Sequence, residues 1–169
     1  LRDYICAQNA GRWDYIFSYI KKHSHLSQFV CPERTQITML QPFLRSYSQL
    51  LIKTCHSRGA FAMGGMSAFI PSKDEAVNEK AMAGVRADKE RESTDGHDGT
   101  WVAHPALVPI AKEIFDKNMP TPNQINKLRE DVLASAANLL EVPKGTITEA
   151  GIKNNITVSL HYLSAWLSG

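Results

Sequence analysis

Short apolar runs and longer stretches with helical spacing alternate along most of the chain. Short runs bounded by glycine or proline predict strands, because a helix needs a longer patterned stretch. One of these runs contains Gly64 and Gly65, so the pattern predicts a buried strand whose end approaches another group closely. The predicted strands are residues 3–10, 36–40, 61–70 and 100–104.

Between the predicted strands, apolar side chains recur every three or four residues, as on one face of a helix. The clearest of these helices begins at Pro42, and Gly59 ends its pattern. Other helices are predicted to begin near Asp14, at a capping box of Ser72 and Glu75, at Pro105, and at a capping box of Thr146 and Glu149. The alternation of strand and helix predicts an α/β fold with a parallel sheet.

The pattern changes after Pro120 and Pro122. The remaining residues favour helices, with no clear strand among them. The last helix keeps Ile152, Ile156 and Leu160 on one face. We therefore expect a second, helical region to begin at about residue 120.

Composition narrows the class of protein. Hydrophobic residues make up 43% of the 169 positions, which permits a substantial core. The net charge is +2 and the charges are scattered, so nothing favours nucleic-acid binding. Three cysteines without C-x-x-C spacing favour a reducing, intracellular setting. No apolar run approaches the roughly 20 residues that span a bilayer.

Two further expectations concern the ends and the charges of the chain. The chain begins with Leu1 and stops at Gly169, directly after a patterned helix, so we expect an internal piece of a longer protein. The run Asp88-Lys89-Glu90-Arg91-Glu92 is expected to form a solvated helix face.

Candidate chemistry begins where the first predicted strand meets a helix, at Gly11-Arg12-Trp13-Asp14. Backbone amides and a helix N-terminus at such a junction can hold an anion. The carboxylate of Asp14 can hold a divalent cation. An Asp near a helix start is more often an N-cap, and the pattern leaves both roles open.

Other candidates lie in the later strands. The adjacent Gly64 and Gly65 would let a ligand lie against bare backbone, or they mark a bulge or a contact point between a helix and the strand. His97 and His104 are candidate general bases or metal ligands, although a lone histidine is more often a structural residue. These features alone predict an α/β domain with an anion or metal site.

Three stretches taken together resemble successive signatures of the malate synthases: GRWDYIFS at 11–18, AMGGM at 62–66 and GHDGTW at 96–101. The stretches at 47–56 and 165–169 are also similar, so the resemblance covers nearly the whole chain and favours the shorter, A-type form. The chain departs from the family at Tyr4, where a histidine is usual. It also has Ala-Gln-Asn-Ala at 7–10 in place of Gly-Leu-Asn-Cys.

This resemblance implies a fold and a reaction. The fold would be the second half of a (β/α)8 TIM barrel at residues 1–119, followed by the start of a C-terminal helical domain at 120–169. The reaction joins the acetyl group of acetyl-CoA to glyoxylate and releases malate and CoA. It depends on Mg²⁺ and belongs to the glyoxylate bypass.

The resemblance also implies roles for particular residues. Asp14 would be one of two carboxylate ligands of Mg²⁺, and Trp101 would wall the glyoxylate pocket. The glyoxylate carboxylate would be bound by the backbone amides of Gly11, Arg12 and Trp13. The residues expected to line the mouth of the barrel are Met63, Gly64, Gly65 and Met66. The second metal carboxylate and an enolate-stabilising arginine should precede Leu1, and the catalytic base should follow Gly169, so no catalytic residue is assigned here and the chain alone should be inactive.

Other functions remain open at this point. One is another Mg²⁺-dependent acyl-CoA lyase or aldolase of the barrel type, and a second is a non-catalytic binding protein derived from the barrel. The expected partners are the two substrates and the rest of a malate synthase chain, with no nucleic acid and no membrane. A cytoplasmic location is favoured, and a peroxisome or glyoxysome is the alternative.

Overall fold

A three-stranded parallel sheet lies at the centre of the protein. The structure is a computed structural model that describes residues 2–71 and 73–169. The strands are β1 (Ala7–Asn9), β2 (Phe61–Ser67) and β3 (Gly99–Val102), in the order β1-β2-β3. The α/β class is confirmed, and three of the four predicted strands are present, each shorter than predicted.

Six α-helices are described. They are α1 (Arg12–His23), α2 (Pro42–His56), α3 (Glu75–Asp95), α4 (Val108–Asn118), α5 (Ala136–Leu139) and α6 (Glu149–Ser168). Pro42 opens α2 as expected. The helix α3 begins after an Asp74 cap, and the predicted cap Ser72 lies outside the described residues. The helix α6 is capped by Thr148, so the prediction of Thr146 as its cap was wrong.

The predicted strand at 36–40 was wrong. A single 3-10 turn, Arg34–Gln36, is followed there by irregular backbone. Ile37 and Met39 are nevertheless buried, in one cluster with residues of α1 and α2. The alternation of buried and exposed positions therefore reflects two side chains entering a core between helices, without a partner strand.

Two apolar clusters hold the helices in place. The first joins α1 to α2 through Ile16, Tyr19, Phe43 and Leu44. The second packs Ile52 and Cys55 of α2 against Ala62 of β2. Both clusters lie on the helix α2, which therefore ties α1 to the sheet.

A buried polar contact, the His56–Asp98 clamp, joins four parts of the fold. His56 places Nδ1 2.8 Å from the Lys127 carbonyl oxygen and Nε2 2.9 Å from Oδ2 of Asp98. The Asp98 carboxylate also accepts hydrogen bonds from the amides of Ala62 (2.8 Å) and Gln124 (2.6 Å). The clamp thus connects the end of α2 to β2, to the turn before β3 and to the segment that follows α4.

Apolar side chains are exposed beside β1 and on α6. An open cavity of about 510 Å³ lies beside β1, and Ile5, Leu50 and Leu51 are among its lining residues. The helix α6 has no buried residue, and its predicted apolar face, including Ile152 and Leu160, is exposed. Within the described residues, no helix combines the length and the apolar character needed to cross a bilayer.

Candidate functional site

The carboxyl ends of the three strands meet at one edge of the sheet. The pairing aligns Asn9 with Met63 and Met63 with Gly99. Beyond this row, the chain turns at Gly11 into α1, while β2 and β3 continue to Met66 and Trp101, which are themselves paired. Parallel α/β folds bind ligands at this edge.

The helix α1 begins at this edge of the sheet. Gly11 is the N-cap residue, and the first helical bond runs from the Tyr15 amide to the Gly11 carbonyl at 3.2 Å. The amides of the first turn precede that bond and have no partner within the helix. The edge of the sheet therefore presents amide donors together with the positive end of a helix dipole.

Asp14 lies in the first turn of α1, and its side chain is exposed. Its carboxylate lies directly beside Gly11, so close that a Cβ added to Gly11 would overlap it. The interpretation of Asp14 as the helix N-cap was wrong, since that position belongs to Gly11. Asp14 is thus an accessible carboxylate beside the row of amides.

Gly64 and Gly65 form a bulge, which we call the Gly64–Gly65 bulge. The register of β2 against β3 shifts between Met63 and Met66, so these two glycines fall out of the regular ladder. Their carbonyl oxygens accept hydrogen bonds from side chains. Asn9 Nδ2 donates to the Gly64 oxygen at 2.8 Å, and Lys89 Nζ donates to the Gly65 oxygen at 3.0 Å.

Both glycines are in places that a side chain cannot enter. A Cβ on Gly64 would overlap the carboxylate of Glu92. A Cβ on Gly65 would lie 2.7 Å from the Ala10 carbonyl oxygen and 3.9 Å from the Arg12 amide nitrogen. The bulge interpretation is confirmed, and the close approach joins the bulge to the turn that begins α1.

The two tryptophans of the predicted site face different surroundings. Trp101 is 57% exposed and lies opposite Met66, which is 47% exposed. The ring of Trp13 packs instead on Phe17, at 5.6 Å between centroids, and under the guanidinium of Arg34 at 4.9 Å. Only the backbone of Trp13 is therefore available at the edge of the sheet.

Behind the bulge lies a buried polar cluster, which we call the Lys89 network: Lys89, Glu92 and Thr100. Lys89 is fully buried and donates to Thr100 Oγ1 at 2.7 Å and to Glu92 Oε2 at 3.0 Å. Thr100 donates to the same Glu92 oxygen at 2.5 Å. The prediction that residues 88–92 form a solvated face was wrong, because this face of α3 packs against the glycines of β2.

Burial changes the acidity of the charged groups around this network. It raises the pKa of Glu92 to about 7, and the nearby Lys89 ammonium opposes that rise. Burial also pushes up the pKa of Asp88, but Arg91 and Lys89 outweigh it, so that this pKa is lowered. The pKa of Arg12 is lowered by burial, with the Asp88 carboxylate acting against the change.

The two candidate histidines make local structural contacts. His97 is 1% exposed, with Nδ1 3.3 Å from the Glu92 carbonyl oxygen, while its Nε2 has no hydrogen-bond partner among the described residues. Burial lowers the pKa of His97 to about 4. His104 accepts a hydrogen bond from the Ala106 amide through Nδ1, at 3.1 Å, and caps the short turn that follows β3.

The sequence did not predict the Lys89 network, because Lys89 and Glu92 lie in a run of charges. One signal was available, since Ala81 and Val85 are buried and Lys89 continues their spacing of four residues. The glycine pair of β2 supplied the other half of the signal, because a strand without side chains leaves room for long polar ones.

The described residues contain no group of three or more His, Cys, Asp and Glu side chains placed to hold a metal ion. Asp14 is the predicted ligand that the structure places at the carboxyl edge, and it offers hard oxygen atoms in an accessible position. Mg²⁺ is commonly held by one or two carboxylates together with water and substrate oxygens. The donor set fits such an ion in part, because Asp14 offers one carboxylate of the kind that Mg²⁺ binds.

Comparison with known proteins gives a consistent result. A family model described as the malate synthase TIM barrel domain matches residues 1–142. All of this chain aligns with the bifunctional glyoxylate cycle protein of Caenorhabditis elegans (57% identical), the malate synthase of Myxococcus xanthus (56%) and malate synthase A of Escherichia coli (52%). The chain spans 18%, 31% and 32% of the length of these relatives, respectively.

Proposed function

Since this chain belongs to the malate synthase family, we propose that the protein containing it condenses acetyl-CoA with glyoxylate and water to give malate and CoA. The observation that carries the proposal is the alignment of the entire chain with malate synthases at 52% and 56% identity. The arrangement at the carboxyl edge agrees with it, because one accessible carboxylate and a row of helix amides lie beside each other there.

The backbone at the start of α1 would bind the carboxylate of glyoxylate. The amides of Gly11, Arg12 and Trp13 lie at the positive end of α1, which favours a negative charge. Trp101 would close one side of the pocket with its exposed ring. Met63, Gly64, Gly65 and Met66 would line the barrel mouth beside it.

Asp14 is the residue of this chain that would hold Mg²⁺. Its exposed carboxylate supplies one oxygen donor group beside the anion-binding amides. When bound, Mg²⁺ acts as a Lewis acid on the aldehyde oxygen of glyoxylate. The side chain would keep the ion and the glyoxylate carboxylate in adjacent positions, which holds the aldehyde in one orientation.

The remaining catalytic groups would come from outside this chain. We assign residues 1–119 to the second half of the (β/α)8 barrel and residues 120–169 to the start of a C-terminal helical domain. The segment at 120–142, the first part of that helical region, has no strand in the structure, although the barrel-domain match extends over it. The enolate-stabilising arginine, the second metal carboxylate and the catalytic base would lie on the rest of the polypeptide, so the isolated chain would have no activity.

The test is an assay of the full-length protein that carries this segment. CoA release is followed with a thiol reagent in the presence of acetyl-CoA, Mg²⁺ and glyoxylate. We expect release that requires glyoxylate and produces malate in equal amount. Release with pyruvate but not with glyoxylate would favour another acyl-CoA lyase or aldolase, and binding without turnover would favour a non-catalytic protein.

We propose the cytoplasm as the location. The cotton and cucumber relatives are named glyoxysomal malate synthases, which keeps the glyoxysome as the alternative. Fluorescence of a tagged full-length protein in its own cells distinguishes a diffuse from a punctate distribution.

A further inference from the structure

The Gly64–Gly65 bulge is held in place from two sides. On one side, Gly65 lies against the Ala10 carbonyl oxygen and near the Arg12 amide, with no room for a side chain. On the other side, the Lys89 ammonium donates a hydrogen bond to the Gly65 carbonyl oxygen at 3.0 Å. The bulge is therefore a spacer between a buried charge and the turn that begins α1.

Lys89 has no hydrogen-bonding capacity left for anything else. Its ammonium carries three N–H donors, and three acceptors surround it: the oxygens of Gly65, Glu92 and Thr100. The side chain is fully buried. Burial of a lysine is costly unless its charge is paired and its donors are used, so this arrangement needs a reason beyond packing.

An apolar residue at position 89 would fill the space but would leave the Gly65 oxygen without its charged donor. The register of β2 shifts at this position, and the side-chain donors that reach this oxygen are the Lys89 ammonium at 3.0 Å and the Thr100 hydroxyl at 3.3 Å, of which only Lys89 is charged. A shift of Gly65 changes the space available to Ala10 and Arg12. These residues flank Gly11 in the turn that is proposed to bind glyoxylate.

We propose that Lys89 is a positioning residue for the glyoxylate site, whose ammonium holds the Gly64–Gly65 bulge against the turn at Ala10–Arg12. The inference rests on the proposed function for its kinetic consequence. Lys89 itself does not touch substrate. It acts through the backbone of Gly65, and its removal weakens the binding of glyoxylate more than that of acetyl-CoA.

Variants of the full-length protein distinguish this positioning role of Lys89 from simple neutralisation of the Glu92 charge. The single variant Lys89→Met leaves Glu92 buried without its cation, which by itself can prevent folding. The double variant Lys89→Met with Glu92→Gln removes both charges and keeps the volumes similar, an exchange that proteins often tolerate. Lys112→Met is the matched control, because Lys112 forms an exposed pair with Asp116 on α4.

Steady-state kinetics give the first measurement. In the double variant we expect the KM for glyoxylate to rise about tenfold or more, the scale of one hydrogen bond from a charged group, with the KM for acetyl-CoA nearly unchanged. Lys112→Met should behave as the wild type. A wild-type KM for glyoxylate in the double variant would overturn the proposal, because Lys89 would then only neutralise Glu92. A fall in kcat alone, with both KM values unchanged, would overturn it in favour of a purely structural role.

Amide hydrogen exchange gives a measurement that does not depend on the reaction. Without substrates, the peptide covering residues 61–67 should exchange faster in the double variant than in the wild type and in Lys112→Met. Unchanged exchange would overturn the positioning role even if the enzyme is a malate synthase. Faster exchange in a protein without glyoxylate-dependent turnover would uphold the positioning role and reject the proposed function.

Discussion

Among single residues, Asp14 allows the most direct test of the proposed metal site. In the full-length protein, Asp14→Asn keeps the size and most of the hydrogen-bonding capacity but removes one negative charge. Affinity for Mg²⁺ should fall, and kcat should drop at least about a hundredfold, the scale lost with one preorganised stabilising group. Calorimetric titration with Mg²⁺ and steady-state kinetics check the two effects.

The control for Asp14 is Asp131→Asn. Asp131 pairs with Arg129, which also binds the Asp95 carbonyl at the end of α3, away from the carboxyl edge of the sheet. This variant should titrate and turn over as the wild type does. An unaltered titration and unaltered turnover in Asp14→Asn would remove Asp14 from the metal site.

A second residue-scale prediction concerns the pH dependence of stability at His97. Burial lowers its pKa from 6.5 to about 4 in the folded protein. Between these two values the unfolded chain binds a proton that the folded protein does not. The free energy of unfolding should therefore fall as the pH is lowered through this window, by about 3 kcal/mol in total from this group.

The variant His97→Leu isolates the effect, because leucine fills a similar volume and has no proton to bind. Urea unfolding of the full-length protein at several pH values should show a shallower loss of stability between pH 6.5 and 4 than in the wild type. His25→Gln, at an exposed position, serves as the control and should keep the wild-type profile. Parallel pH profiles for the wild type and His97→Leu would refute the prediction.

At the scale of elements, the His56–Asp98 clamp joins parts that are distant in sequence. Asp98 accepts from His56, Ala62 and Gln124 with both oxygens. In Asp98→Asn, the side-chain NH2 group faces at least one of these three donors and cannot accept a hydrogen bond from it. We expect the full-length protein to lose about 3–5 kcal/mol of unfolding free energy, the cost of breaking a buried pair.

Urea unfolding measures this loss, with Asp116→Asn as the matched control. Asp116 forms an exposed pair with Lys112, and such pairs contribute little. The two variants make the same chemical change at buried and exposed positions. Equal stability of both would show that the clamp does not hold the elements together.

The element pattern was predictable where apolar spacing and turn residues agreed. Pro42 opens α2, and Gly59, at φ +69°, lies just beyond its end, so both boundaries follow from backbone geometry. The prediction failed at Ile37 and Met39, because alternation reports burial and says nothing about a partner strand. It failed again at Lys89. The burial of Lys89 depends on the glycines of β2, and Gly65 lies 24 residues earlier in the chain.

The candidate site was likewise predictable only in part from the sequence. The junction at Gly11 and the bulge at Gly64 and Gly65 were visible as local patterns, since glycine reports a backbone requirement. The role of Asp14 was not decided by its spacing, and the resemblance to a family supplied it. The direction of the Trp13 ring was not visible either, because it depends on Phe17 and Arg34 packing around it.

At the scale of the whole molecule, the described sheet has three strands and therefore two edges. Barrels remove such edges by closing the sheet, and open edges promote association between chains. The apolar cavity beside β1 and the exposed face of α6 add to the surface available for contact. We predict that the isolated 169-residue chain is poorly soluble or associates with itself.

Size-exclusion chromatography with light scattering tests this prediction over a range of concentrations. The isolated chain should elute as a broad, concentration-dependent distribution. The full-length protein, prepared in the same buffer, should elute as a defined species. A compact monomer with a sharp thermal transition would contradict the prediction.

The absence of side chains at Gly64 and Gly65 has a consequence for how this gene can vary. Every glycine codon begins with two guanines, and each single-base change that replaces the amino acid introduces a Cβ or a stop. Position 64 would then collide with Glu92, and position 65 with the Ala10 carbonyl. Among single-base changes in these two codons, only the synonymous ones therefore leave the backbone contacts intact.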